Sequence, residues 1–153
     1  MKIWFSFLLL LLANKGFSQS DVLRVKEFNL DDGLALKGYD PVSYFTLNKA
    51  IKGNKEFSIN YHGINYHFSS SENKDLFQAN PAKYEPQYGG WCAYAMGNVG
   101  TKVEVDPETY KIIDGKLFLF YNRFFNNTLK SWNLDEPDLH AKADVNWQIL
   151  LKQ

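Results

Sequence analysis

Cys92 is the one cysteine of this chain, set in Gly89-Gly90-Trp91-Cys92-Ala93-Tyr94-Ala95-Met96-Gly97. A lone thiol in an exported chain closes no internal disulfide. It is a small buried hydrophobe, a reactive group, a thiol shared with a partner, or a ligand for a soft metal. Met96 lies four residues on, where a helix would bring both sulfurs to one face, and polarizable thiolate and thioether donors select Cu(I). His67 is the best third ligand, because neutral imidazole suits copper, zinc or nickel. His62 falls in a turn, from which it could swing towards the same strand face. His140 lies off the apolar stripe of the last helix and outside any expected site. Each residue also has a plain reading: Cys92 and Met96 fill the core, and His67 is a solvated strand residue.

Tyr84, Tyr88, Trp91 and Tyr94 surround the cysteine in sequence. They pack a core, or they form a shallow aromatic pocket that shields the sulfur or receives a small apolar ligand. Tyr88, Trp91, Tyr94 and His62 are the binding candidates on the second reading. Asp40-Pro41 and Asp106-Pro107 start turns, their carboxylates accepting backbone hydrogen bonds. No paired carboxylates have a catalytic setting, and Gly89-Gly90 lacks the glycines and lysine of a phosphate loop. A Cys/His nucleophile pair would have no evident oxyanion donor or orienting group. The expectation is a binding module, not an enzyme.

These residues belong to a chain that begins like an export signal. Lys2 is followed by the apolar run Ile3 to Ala13, then by Gly16 and Ser18 at signal-peptidase spacing. That run is shorter than the roughly 20 residues a membrane span needs, so an uncleaved anchor is the weaker reading. The expected organisation is a signal peptide over 1–18, an N-terminal lead over 19–35 and one domain over 36–151, periplasmic or secreted. Hydrophobic residues at 45% can fill a core and aromatics at 16% can dominate it. Cleavage would remove Lys2 and Lys15 and leave a slight acidic excess. Such a balance gives no electrostatic case for nucleic acid, or for an anionic membrane after cleavage.

Two hairpins should position the candidates. Phe57, Ile59 and Tyr61 alternate with polar residues, as do Ile64, Tyr66 and Phe68, around a His62-Gly63 turn. This register sets Tyr61 opposite Ile64, His67 opposite Ser58, and Phe57 opposite Phe68. A helix follows, capped by Ser69 with Glu72, burying Leu76 and Phe77, and ended by Asn80-Pro81. Lys83 to Tyr88 reads as irregular loop, and Trp91 to Gly97 as about two helical turns. The second hairpin joins 110–113 to 116–121 through Asp114-Gly115. Its second strand is apolar on both faces and therefore covered on both sides. A short helix is expected within 126–132. The last helix is capped by Asp135, with Pro137 in its first turn and a stripe of Leu139, Ala143, Trp147 and Leu150. The sum is a single α+β domain: two β-hairpins forming a small antiparallel sheet, with helices packed around it.

Taken together, Gly38-Tyr39-Asp40-Pro41-Val42-Ser43-Tyr44-Phe45, Tyr61-x-Gly63-x-x-Tyr66-x-Phe68-Ser69, Asn80-Pro81-x-x-Tyr84 and Pro86-Gln87-Tyr88-Gly89-Gly90 resemble the YHS domain. Cys92-Ala93-Tyr94-Ala95, Asp106-Pro107, Asp114-Gly115-Lys116-Leu117 and Ala143-Asp144-x-Asn146-Trp147 extend the likeness over about residues 36–150. The resemblance implies kinship with domains of copper and heavy-metal transporters thought to bind metal, and with small exported proteins of poorly defined role. This chain is similar to the second group. The transporter branch often carries cysteines where this chain has Ser43 and Ser69, a departure that counts against its thiol-rich mode of metal binding. The leading expectation is a soft metal ion, copper ahead of zinc, held by Cys92, Met96 and His67. The alternatives are a metal-free domain that takes a protein or small molecule near Trp91, with Cys92 structural, and thiol chemistry at Cys92.

Overall fold

A computed structural model describes residues 18–153; most of the expected signal segment lies outside the described residues. The first element is helix α1 (Gln19–Glu27), whose N-cap Ser18 exchanges hydrogen bonds with Asp21 as a capping box. Strands β1 (Leu30–Asp31) and β2 (Leu34–Ala35) follow. The lead over 19–35, to which the sequence reading gave no element, is thus regular. Polar contacts tie it down: Arg24 pairs with Glu85, Lys102 with Glu27, and Trp91 Nε1 donates to Glu27 O at 2.7 Å.

Helix α2 (Ser43–Thr46) leads into β3 (Asn54–Tyr61) and β4 (Ile64–Phe68). Their turn and register near the tip match expectation, with Tyr61 opposite Ile64 and Ser58 opposite His67. Phe57 does not face Phe68. The strand bulges before Ser58, so Asn54 takes that place. The sheet order is β1-β2-β4-β3, with β2 parallel to β4. Helix α3 (Ser71–Ala79) starts one residue later than expected: Ser70 Oγ caps it by accepting from Asn73 N. Phe77 is fully buried, but Leu76 is 42% exposed, because the helix turns a single aromatic inward. The expected loop holds helix α4 (Pro81–Tyr84) and a 3-10 turn, Gln87–Gly90.

Helix α5 (Ala93–Val99) has Cys92 at its N-cap. Strands β5 (Asp106–Ile113) and β6 (Lys116–Phe120) form the second hairpin, with Asp114 at φ 49° and Gly115 at φ 71° as a type I′ turn requires. The two long hairpins do not share a sheet. β5 and β6 pair alone, and the free edge of β6 is met by isolated bridges from Pro86 to Leu117 and from Cys92 to Leu119. A further hairpin, β7 (Asn122–Arg123) and β8 (Asn126–Asn127), precedes helices α6 (Thr128–Trp132) and α7 (Glu136–Leu150). Asp135 occupies the N-cap of α7, yet its side chain makes no capping bond.

Both faces of β6 are buried because the strand divides two cores. Leu117 and Leu119 join Tyr44, Ile64, Tyr66, Phe68, Phe77 and Cys92 on one side. Phe118 and Phe120 join Met96, Trp132, Leu139 and Ala143 on the other. The period of two along the strand makes this partition. In the second core α5 lies against α7 so closely that a Cβ on Gly97 would stand 2.4 Å from Leu139 O. Asn146 Nδ2 closes the contact by donating to Met96 O at 2.8 Å.

Candidate functional site

Two places gather the chemistry-bearing residues. The first is centred on Asp40, which is fully buried. Its Oδ1 accepts from Val42 N at 2.8 Å and Ser43 N at 3.4 Å, the local turn that Asp-Pro dictates. Its Oδ2 accepts from Ser69 N at 2.8 Å, Ser69 Oγ at 2.6 Å and Asn73 Nδ2 at 2.6 Å. Ser43 Oγ lies 2.8 Å from the carbonyl oxygens of both Asp40 and Lys49, which share its one proton. The turn before α2, the end of β4 and the start of α3 are therefore held on one carboxylate. A buried charge is tolerable only when its lone pairs are met in this way. Ser43 and Ser69, the two positions at which this chain departs from the cysteines expected of the transporter branch, both contact Asp40. The sequence reading assigned Asp40 its turn but missed Ser69 and Asn73, which lie 29 and 33 residues away.

The second place is Cys92. Its backbone N donates to Val103 O at 3.0 Å, and its carbonyl opens α5 by accepting from Met96 N at 3.0 Å. Sγ accepts from Tyr121 N and lies 3.4 Å from Thr128 Oγ1. The Thr128 hydroxyl donates to Tyr121 O at 2.9 Å, so its lone pair is left to receive the thiol proton. Cys92 is fully buried, and it is one of the residues around a cleft of about 270 Å³. Tyr94, Val99, Val103 and Tyr121 make apolar walls; Asn98, Asn126 and Thr128 add polar atoms. Helix α5 supplies one wall, and the β7–β8 hairpin with the residues beside it supplies the other.

The sequence candidates divide between distant settings. Cys92 belongs to the first core and Met96 to the second, although they are one helical turn apart. The cause is the N-cap: Cys92 has non-helical backbone (φ −59°, ψ 116°) while Met96 is helical, so the two side chains leave on different sides. His67 lies on β4, pressed against Gly53, where a Cβ would meet its backbone carbon at 2.5 Å. His62 sits in the first turn with Nδ1 2.7 Å from Asp21 Oδ1. His140 meets the ring of Phe118 edge-on at 5.0 Å. Among the described residues no three His, Cys, Asp or Glu side chains converge as a metal would need.

Of the aromatic candidates, Tyr94 lines the Cys92 cleft, and Trp91 is covered by the Lys102 ammonium at 5.8 Å. Tyr88 lines a separate cleft of about 400 Å³ with Phe28 and Trp147. There its hydroxyl donates to Asp144 at 2.9 Å. Burial, with Asp144 second, pushes the Tyr88 phenol above its ordinary value. Around the lead, the Lys102 hydrogen bond holds the Glu27 carboxyl below its ordinary value.

The family model for the YHS domain matches residues 42–88. The match takes in Ser43, Ser69 and Asn73; Cys92 and its cleft lie beyond it. No curated protein matches the chain, and no solved structure does.

Proposed function

Starting from a chain that carries a YHS domain over residues 42–88, we propose that this protein is a ligand-binding module whose site is the cleft above Cys92. The ligand is a small, mainly apolar molecule with one or two hydrogen-bonding groups. The observation that carries the reading is the composition of that cleft: two tyrosines and two valines over a buried thiol, with the Asn98 and Asn126 amides and the Thr128 hydroxyl among the lining groups. Ligand sites combine an apolar lining with a few placed polar atoms in this manner. Its volume of about 270 Å³ suits one ring with a short substituent. Cys92 serves as apolar floor, since its sulfur already has a donor and an acceptor.

Soft-metal binding is the second reading, favoured by the place of Cys92 in the lining of an open cleft. The groups around it are hydroxyl, amide and backbone, hard donors that suit Cu(I) poorly, and Met96 turns to the other core.

Backbone NMR titration with phenol, indole and short-chain alcohols tests the first reading. Expected are saturable shifts at Tyr94, Val99, Val103, Tyr121 and Thr128, abolished by Val99→Trp, which fills the mouth from an exposed position. An anaerobic Cu(I) competition against a colorimetric chelator tests the second, on the protein and on Cys92→Ser. One-to-one binding that vanishes in the variant would replace the small-molecule reading with the metal one.

A further inference from the structure

The described residues contain four two-residue hairpin turns with both central residues at positive φ. Three follow the rule for such turns and end in glycine: Asp32-Gly33, His62-Gly63 and Asp114-Gly115. The fourth, between β7 and β8, is Phe124-Phe125, at φ 52° and 63°. Bulky side chains are rare outliers in that region, and type I′ turns strongly favour Asn, Asp and Gly. Nothing in the fold compensates. Phe124 is 89% exposed and Phe125 111%, the two most exposed large hydrophobics at any turn. The tip therefore costs folding stability and returns no buried area.

The charges beside it point to the surface that receives it. Between Asp114 and Asp135 the chain carries Lys116, Arg123 and Lys130 and no carboxylate. Arg123 adjoins the tip and Lys130 follows it by five residues. Both are exposed, and neither forms an ion pair among the described residues. The carboxylate of Asp106 sits at the base of the hairpin, engaged by Thr109 Oγ1 at 2.9 Å. The near-neutral charge of the whole chain hides this local excess. A tip of two exposed aromatic rings, with an arginine next to it and an exposed lysine five residues on, fits a soft surface that is apolar beneath and anionic on top.

We propose that the Phe124-Phe125 turn is a membrane-contact tip that inserts both rings among the acyl chains of an anionic lipid surface, with Arg123 and Lys130 at the headgroups. Such a contact lies on the membrane and does not span it. It is independent of what the Cys92 cleft takes.

The test is co-sedimentation with vesicles of phosphatidylcholine alone and with about 30 mol% phosphatidylglycerol. The decisive variant is Phe124→Asn with Phe125→Gly, which installs the residues the turn prefers. The protein is expected to partition to anionic vesicles; the variant should partition at least about tenfold less while its Tm stays equal or rises. Arg123→Gln with Lys130→Gln should lower partition severalfold and remove most of its salt dependence. Equal partition of protein and turn variant, or none by either, would overturn the proposal. So would dimerisation in solution that the turn variant abolishes, which would assign the tip to a second copy of the chain.

Discussion

Asp40 and Cys92 are both fully buried, and the protein treats them in opposite ways. Around Asp40 five donors from three segments meet the two oxygens of a carboxylate without solvent exposure. Around Cys92 the sulfur has two weak partners, and the residue belongs to the lining of a cleft. A satisfied charge welds elements together, whereas a soft, weakly bonded atom leaves a floor on which something else can rest. Stability should therefore depend on Asp40 and ligand binding on the walls around Cys92.

Breaking the first region should give the largest effect. Asp40→Ala orphans buried donors on Ser69 and Asn73 and should cost about 3–5 kcal/mol in urea unfolding. Asp40→Asn should cost nearly as much, because one of its atoms would be a donor facing donors. A loss under about 1 kcal/mol for both variants would mean that the cluster welds nothing.

Next comes the wall that bears the cleft. Gly97→Ala forces a methyl against Leu139 O and should cost about 2–3 kcal/mol by shifting α5 from α7. Because α5 is one side of the cleft, small-molecule binding should weaken in parallel. Cys92→Ser sharpens the contrast from the other side: a hydroxyl can reuse both partners, so the expected cost is only about 1 kcal/mol. The native thiol should react with a bulky disulfide reagent at least about 100-fold more slowly than in the denatured chain.

The smallest effect is the response to pH. Burial raises the phenols of Tyr44 and Tyr66 in the first core. The unfolded phenols ionise near 10.0 while the native ones stay protonated, so stability falls as pH rises beyond that value. The Lys102 hydrogen bond lowers Glu27, and the Lys111 hydrogen bond lowers Glu136. Stability from this pair is present above the ordinary carboxylate value of 4.5 and is lost as pH falls below it. Calorimetric Tm across this range should show a plateau with a decline on each side.

How far the sequence could be read follows from which forces were local. Alternation and Gly-containing turns gave both long hairpins, and the apolar run of β6 correctly meant cover on both faces. The separation of the sheets was not legible, because it depends on single bridges from Pro86 and Cys92 to β6. Helix α1 was missed since its valines, Val22 and Val25, stay exposed and its anchors, Glu85 and Lys102, are remote in sequence. At the candidate site, the spacing of Cys92 and Met96 assumed that both are helical. The N-cap conformation of Cys92 breaks that assumption, and no residue type announces it. Thr128 and Tyr121, the actual neighbours of the sulfur, carried no motif at all.

The most direct measurement is a crystal of the protein soaked with 4-iodophenol and measured for iodine anomalous scattering. A peak is expected between Tyr94, Val99, Val103 and Tyr121, beside an unmodified Cys92. A peak confined to the Tyr88–Trp147 cleft, with none beside Cys92, would contradict the small-molecule reading.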